Sequence, residues 1–393
     1  MRRVYLDNNS TTPLLPEVRA AIAPYFEEKF GNASSIHHSG QQARAAVERA
    51  RGQVAGLLGA RASEIVFTSG GTEADNLAIF GVVKPGDHII SSVIEHHAVI
   101  NSCKRLEEMG CDVTYLPVDS RGLVNPDDVR RSIKPGTRLV TIMMANNETG
   151  VVEPVDDIGR VAAEAGILFH TDAVQAAGKI PVKVDDVSCS LLSLSGHKLH
   201  GLQGTGALFV RRGVHLQPQL FGGNHERSRR AGTENVLGIV GLGEAARLAA
   251  EGFQDGSVAR TAALRNRLEN GLMEIIEDVS LNGAGAPRVP NTTNLRFNGI
   301  EGEGLVISLD LKGLAVSTGA ACSSGAIEPS HVLTAMGLTQ IQARSSVRLS
   351  LGKQNSEEDV DAALALIPDA VARLRALSPS YNGPTGVAAA MRR

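Results

Sequence analysis

The chain reads as short apolar runs alternating with stretches of helical period. Between about residues 60 and 210, the segments IVFT (65–68), HIISS (88–92), VTYLP (113–117), RLVTIMM (138–144), ILFHT (167–171) and LLSL (191–194) predict strands. Residues 72–82, 98–109 and 156–165 between them predict helices. The apolar runs lack clean alternation with polar residues, as strands buried on both faces do. The pattern therefore predicts βαβ units and an α/β fold whose mostly parallel sheet is covered by helices. A further helix is predicted over 236–250, and after the polar break 251–257 the rhythm changes to helix 258–276, strand 293–297, helix 302–311, strand 346–350 and helix 356–377. That order predicts a smaller α+β domain. The expected division is a large domain over 15–255 and a small domain made of 1–14 with 256–378. Residues 379–393, which have no periodic apolar face, are expected to form a mobile tail.

Length agrees with two domains, since 393 residues exceed the roughly 250–300 at which one core stops growing. Lys+Arg 39 against Asp+Glu 42 leaves a net charge of −3, which gives no electrostatic reason to expect nucleic acid or an anionic membrane as a partner. No run approaches the ~18 apolar residues of a membrane span, and MRRVYLDNNSTTP turns polar too early for a signal peptide, so a cytoplasmic protein is expected. The four cysteines (Cys103, Cys111, Cys189, Cys322) form no CxxC pair, which argues against a disulfide framework or a structural zinc site. The dispersed histidines show no metal spacing either, so no metal is expected. Abundant glycine (42) and proline (16) point to tight turns and loops shaped for ligands.

Four segments carry candidate chemistry. In LLSLSGHKLHGLQGTG (191–206) an apolar strand runs into Lys198. Such a lysine either snorkels to the surface or, if buried, has the lowered pKa of a nucleophilic Schiff-base amine. In ILFHTDAVQ (167–175), Asp172 follows a strand at the end where α/β folds place ligands, as a turn residue or as the carboxylate that keeps a pyridine nitrogen protonated. TSGGTEADN (68–76) puts glycines before a helix, a turn that either binds nothing or cradles a phosphate. It lacks the lysine of a Walker loop. STGAACSSG (317–325) sets Cys322 among small polar residues, as an incidental exposed thiol or a nucleophile, whereas Cys103, Cys111 and Cys189 read as packing residues. His96 and His97 follow a strand, where one ring could lie over a flat cofactor, and RSRR (227–230) in a polar loop hints at an anion nearby.

Together these segments resemble the cysteine desulfurases, pyridoxal-phosphate enzymes of the class V aminotransferase group with the type I fold. The resemblance runs through YLDNNSTTP, FGNASSIH, FTSGGTEADN, EHHAV, ANNETG, HTDAVQAAGK, SLSGHKLHG, RRAGTEN, STGAACSSGAIEPSHV and SSVRLSLGK, and so covers nearly the whole chain. It is nearest the nitrogen-fixation-associated branch.

The resemblance implies pyridoxal 5′-phosphate as cofactor, held covalently by Lys198, which also moves the substrate Cα proton. It implies Asp172 on the ring nitrogen, Gln175 near the ring hydroxyl oxygen, and His96 as a catalytic residue that stacks on the ring and assists proton transfer. Gly71, Thr72, Ser195 and His197 match the phosphate cradle, and Thr233 the residue that reaches the other subunit's phosphate in a homodimer. Asn147 and Arg348 match the residues that hold the substrate carboxylate, Arg348 through a bidentate fork. Cys322 matches the nucleophile that takes sulfur from L-cysteine as a persulfide, leaving L-alanine. The implied acceptor is an iron–sulfur scaffold protein, nitrogenase-related in this branch, with Cys322 meeting a cluster only transiently. One departure is the Gly-Gly-Thr of the phosphate loop, where many relatives carry another small residue before Thr. A selenocysteine lyase, an aminotransferase and a sulfur-trafficking scaffold without cofactor chemistry are the competing readings.

Overall fold

The chain enters through the short strand β1 (Val4–Tyr5). It then builds a seven-stranded sheet from β2 (Ile65–Thr68), β3 (His88–Ser92), β4 (Asp112–Leu116), β5 (Thr137–Thr141), β6 (Leu168–Asp172), β7 (Leu191–Ser195) and β8 (Gly206–Val210). The computed structural model describes residues 3–319, 329–378, 381 and 383. The strand order is β2-β8-β7-β6-β5-β3-β4, parallel throughout except for β8, which runs antiparallel to both β2 and β7. Every residue of β2, β3, β7 and β8 is buried, which is why their apolar runs do not alternate. The expected α/β architecture is therefore present. Strand β8 is an addition to the sequence reading, because its run GALFV is short and directly follows a glycine-rich loop.

Helices His38–Leu58 and Val236–Gly252 pack together on one face of the sheet. Their contact uses small residues: a Cβ on Gly243 would stand 2.6 Å from the Ala50 Cα, so the two backbones approach as closely as glycine allows. The sequence reading gives no helix at 38–58, since its buried stripe mixes four alanines (Ala43, Ala46, Ala50, Ala55) and Gly40 with the charged Arg51 and so contrasts little with its polar face. Its end is well marked, by Gly59 in the left-handed region at φ 67°.

The C-terminal third supplies β9 (Val279–Leu281), β10 (Thr292–Phe297), β11 (Leu314–Ala315) and β12 (Ser346–Ser350). An antiparallel sheet of order β12-β10-β9 is covered by helices Ser257–Ile275 and Glu357–Leu377, with Leu264, Leu268, Leu295, Phe297, Val360 and Ile367 in a core of their own. The N-terminus joins that core, because β1 pairs with β11 and Leu6 is fully buried there.

Immediately afterwards the polar run 7–12 crosses to the central sheet. The Asn8 N–H donates to the Ser350 carbonyl (3.1 Å), and four residues later the Thr12 N–H donates to the His197 carbonyl (2.9 Å). One short segment thus brings β12 and the end of β7 to the same place.

Candidate active site

Strand β7 ends at Ser195 and turns through Gly196–Lys198. The turn needs its glycine: a Cβ on Gly196 would sit 2.4 Å from the Thr205 hydroxyl. It swings Lys198 back over the carboxyl ends of the strands, where Nζ donates to the carbonyls of Asn9 (2.5 Å) and Ser10 (2.6 Å). Burial, and then the charge of Arg348, push the Lys198 pKa down to about 8, against the partial opposition of Asp7 and Asp172. At pH 7 roughly a tenth of such an amine is neutral, some two hundred times the fraction of a lysine with the ordinary pKa of ~10.4. In the cofactor-free protein, acylation of Lys198 by a water-soluble anhydride, followed by mass spectrometry, is accordingly expected to rise with pH, reach half its plateau near 8 and level off above it. A surface lysine should still be rising at that point. A profile still climbing above pH 10 would remove the amine from this environment.

Asp172 is the last residue of β6, registered beside Ser193 of β7, and it is buried. Burial raises its carboxyl to about 6, while the Val174 N–H, donating at 2.8 Å, and the charge of Lys198 favour the anion. A second acid, Asp75 of helix Gly71–Phe80, faces the same cleft with Oδ1 buried and without a hydrogen-bond partner. Burial and then Asp172 push its pKa well up. The mutual repulsion of the two carboxyls favours the protonated form of Asp75, while the Val174 N–H and Lys198 favour the anion at Asp172.

The N-terminus of that helix, Gly71 and Thr72, lines the cleft together with Ser195 and His197. Its first-turn N–H groups have no intrahelical acceptor and offer an anion site. Gly71 packs so closely that a Cβ would meet the Val174 side chain at 2.8 Å. Gln175 donates from Nε2 to the Asn9 carbonyl (2.9 Å) and accepts at Oε1 from Lys179.

On the opposite wall His96 accepts the Ala98 N–H at Nδ1 (3.1 Å), which leaves its proton on Nε2. Its packed surroundings and the charge of Lys198 lower its pKa to about 4, although the residue as a whole still opens onto the cleft. Arg348 of β12 donates to the Asn147 carbonyl (2.9 Å), Asp7 (2.7 Å) and Ser10 Oγ (2.8 Å), and its Nε is buried without a partner.

The cleft bounded by these groups measures about 440 Å3 and brings together Lys198, Asp172, Gln175, Gly71, Thr72, Ser195, His197, His96, Asn147 and Arg348. Thr233 is not among its lining residues. It is exposed on the segment before helix Val236–Gly252. Cys322 lies outside the described residues, as does nearly all of 379–393. Cys103, Cys111 and Cys189 are free and buried, and burial pushes the Cys103 and Cys189 thiols up to about 12, as befits packing residues.

Several site residues escaped the sequence reading. Asp7, Asn9 and Ser10 supply acceptors for Lys198, Gln175 and Arg348. These three, with Asp75 and Lys179, fall inside the motifs YLDNNSTTP, FTSGGTEADN and HTDAVQAAGK, but the sequence reading gave them no role.

The aminotransferase class-V family model matches residues 4–363. The chain belongs to the class-V aminotransferase family. Among its relatives, a cysteine desulfurase of Nostoc sp. is 50% identical over 389 residues, covering 98% of this chain and 97% of that one. A solved NifS-like protein superposes with a TM-score of 0.88 at 37% identity over 95% of this chain and 100% of the other. A structure of SspA in complex with cysteine superposes at 0.79 with 38% identity, over 90% of this chain and all of that one.

Family members of this kind depend on pyridoxal 5′-phosphate, and so does this chain. The cleft fits that group. A lysine of lowered pKa, a buried carboxylate and a helix N-terminus share one cavity, and two buried polar atoms of its lining residues, Asp75 Oδ1 (3.6 Å from His170 Nε2) and Arg348 Nε, have no hydrogen-bond partner.

Proposed function

We propose that this cleft converts L-cysteine to L-alanine and delivers the sulfur to Cys322 as a persulfide. The chain is a pyridoxal-phosphate-dependent cysteine desulfurase, a member of a family it matches over nearly its full length. The observation that carries the site assignment is the convergence of Lys198, Asp172 and Arg348, from three distant parts of the sequence, on one cleft.

In this reading Lys198 would hold the cofactor, with Asp172 for its ring nitrogen, Gln175 for its ring oxygen and His96 for its ring, and Gly71, Thr72, Ser195 and His197 would receive the phosphate. When bound, pyridoxal phosphate supplies an electron sink for negative charge at the substrate Cα. Arg348 and Asn147 orient the substrate carboxylate. Lys198, with a pKa near the working pH, takes the Cα proton and returns one. The Cys322 thiolate attacks the substrate sulfur. An S–S bond forms, the Cβ–S bond breaks with its electron pair left on carbon, and protonation there completes alanine. Cys322 stands three residues along the chain from Gly319, which lines the cleft.

A homodimer belongs to the same proposal, with Thr233 completing the partner's phosphate site. Thr233 is exposed and does not line its own cleft, and Phe26, Phe30, Ile36 and Phe221 are exposed apolar residues of the kind that interfaces cover. We place the enzyme in the cytoplasm; among the described residues no helix is long and apolar enough to cross a membrane. An iron–sulfur scaffold protein is the proposed sulfur acceptor, with nitrogenase clusters as one destination. Adding L-cysteine to the yellow enzyme should change its visible spectrum, release alanine and add sulfur to the peptide containing Cys322. Sulfur found only on another cysteine would overturn the proposal.

A further inference from the structure

Glu148 is buried and takes no part in the reaction as proposed. It follows Asn147 in a turn locked by the Asn146 side chain, whose Oδ1 accepts from the N–H groups of Glu148 (2.9 Å) and Thr149 (3.0 Å). The Glu148 carbonyl accepts from Asn294 Nδ2 of β10 at 3.0 Å. The backbone is therefore fixed, and the side chain points at two residues far apart in sequence. Ser330 Oγ donates to Glu148 Oε2 at 2.5 Å, a length typical of a hydroxyl on an ionised carboxylate. Burial pushes the Glu148 pKa up, and the Ser330 hydroxyl, Arg348 and His97 oppose that shift.

The same side chain also packs beside Gly319. A Cβ there would lie 3.3 Å from Oε2 and 3.4 Å from the Glu148 Cγ, and Gly319 has a φ of 85°, so both space and backbone call for glycine. Each of the two residues is tied in turn to the site. Ser317 exchanges backbone hydrogen bonds with Arg348 (2.6 and 3.2 Å), and its hydroxyl accepts from the Gly319 N–H (3.1 Å). Ser330 caps helix His331–Ala335 by accepting from the Leu333 N–H (3.1 Å), and His331 Nε2 meets the Glu95 carbonyl at 3.0 Å.

We propose that Glu148 is a positioning residue whose carboxylate holds Ser330 and whose side chain packs beside Gly319, the described residues on either side of the stretch that carries Cys322, next to the substrate-carboxylate residues Asn147 and Arg348. The inference rests on Cys322 being the sulfur acceptor. Its physical content is effective concentration: releasing one end of the stretch enlarges the volume a thiol on it explores and dilutes it at the substrate sulfur.

The test compares Glu148→Ala, Glu148→Gln and Ser330→Ala in the holoenzyme. Both alanine variants are expected to slow single-turnover persulfide formation on Cys322 by about tenfold. The visible spectrum and the KM for L-cysteine should be unchanged, and Glu148→Gln, which keeps an acceptor for Ser330, should recover most of the rate. In the cofactor-free protein, hydrogen exchange in peptides spanning 313–319 and 329–334 should quicken in the alanine variants and not in Glu148→Gln.

Wild-type persulfide formation in both alanine variants overturns the proposal, whatever the exchange shows. So does a Glu148→Gln enzyme as slow as Glu148→Ala with a raised KM, since that pattern belongs to charge acting on Arg348. Failure of the underlying reading looks different: sulfur would be missing from Cys322 in the unsubstituted enzyme, while the exchange result stood.

Discussion

Lys198→Ala is expected to yield a folded protein without the visible band of the bound cofactor, and to lower alanine formation by on the order of 10³-fold or more. The size follows from the double use of one amine, as the covalent anchor and as the base at the substrate Cα. Lys179, the nearby alternative, cannot stand in, because its Nζ is engaged by Gln175 and by Asn9 Oδ1 (3.2 Å). Adding a small primary amine should restore part of the proton transfer without restoring attachment. The decisive measurement is borohydride reduction of the wild-type enzyme followed by peptide mapping. A pyridoxyl group on any residue but Lys198 would sink the assignment.

Cys322→Ala is expected to separate the two halves of the chemistry. Nothing in the cofactor cleft is removed, so the visible spectrum and its response to L-cysteine should persist, while persulfide and alanine formation fall by at least ~10²-fold. The other thiols offer no substitute: Cys103, Cys111 and Cys189 are buried, and at a pKa of about 12 Cys103 and Cys189 are thiolate in only about one molecule in 10⁵ at neutral pH. An exposed thiol of ordinary pKa ~8.5 is a few per cent thiolate, enough for the reaction. Full desulfuration by Cys322→Ala would mean that another group takes the sulfur.

The central sheet was legible because its signal is local. Predicted strands at 65–68 and 88–92 coincide with β2 and β3, and those at 113–117, 167–171 and 191–194 fall within one residue of β4, β6 and β7 at each end. The run 138–144 overshoots β5, which ends at Thr141, since Ile142–Met144 stay apolar to line the interior beyond the strand. The helix at 38–58 left little trace because a buried face mixing alanines and Gly40 with Arg51 gives weak periodicity. Chemistry-bearing residues at strand ends were equally visible: Lys198 and Asp172 each terminate an apolar run.

The sequence by itself determined the parallel α/β scheme, the anion-ready glycine turn and the lysine, carboxylate and thiol needed for the chemistry, because those depend on residue type and near neighbours. Only the tertiary structure decided that Asn9 and Ser10 would receive Lys198, that Arg348 would reach Asn147, that Asp75 would share a cleft with Asp172, and that Glu148 would receive Ser330. Each of those contacts joins residues far apart along the chain. Their energies and pKa values come from exclusion of water, which exists only once the distant segments have closed around them.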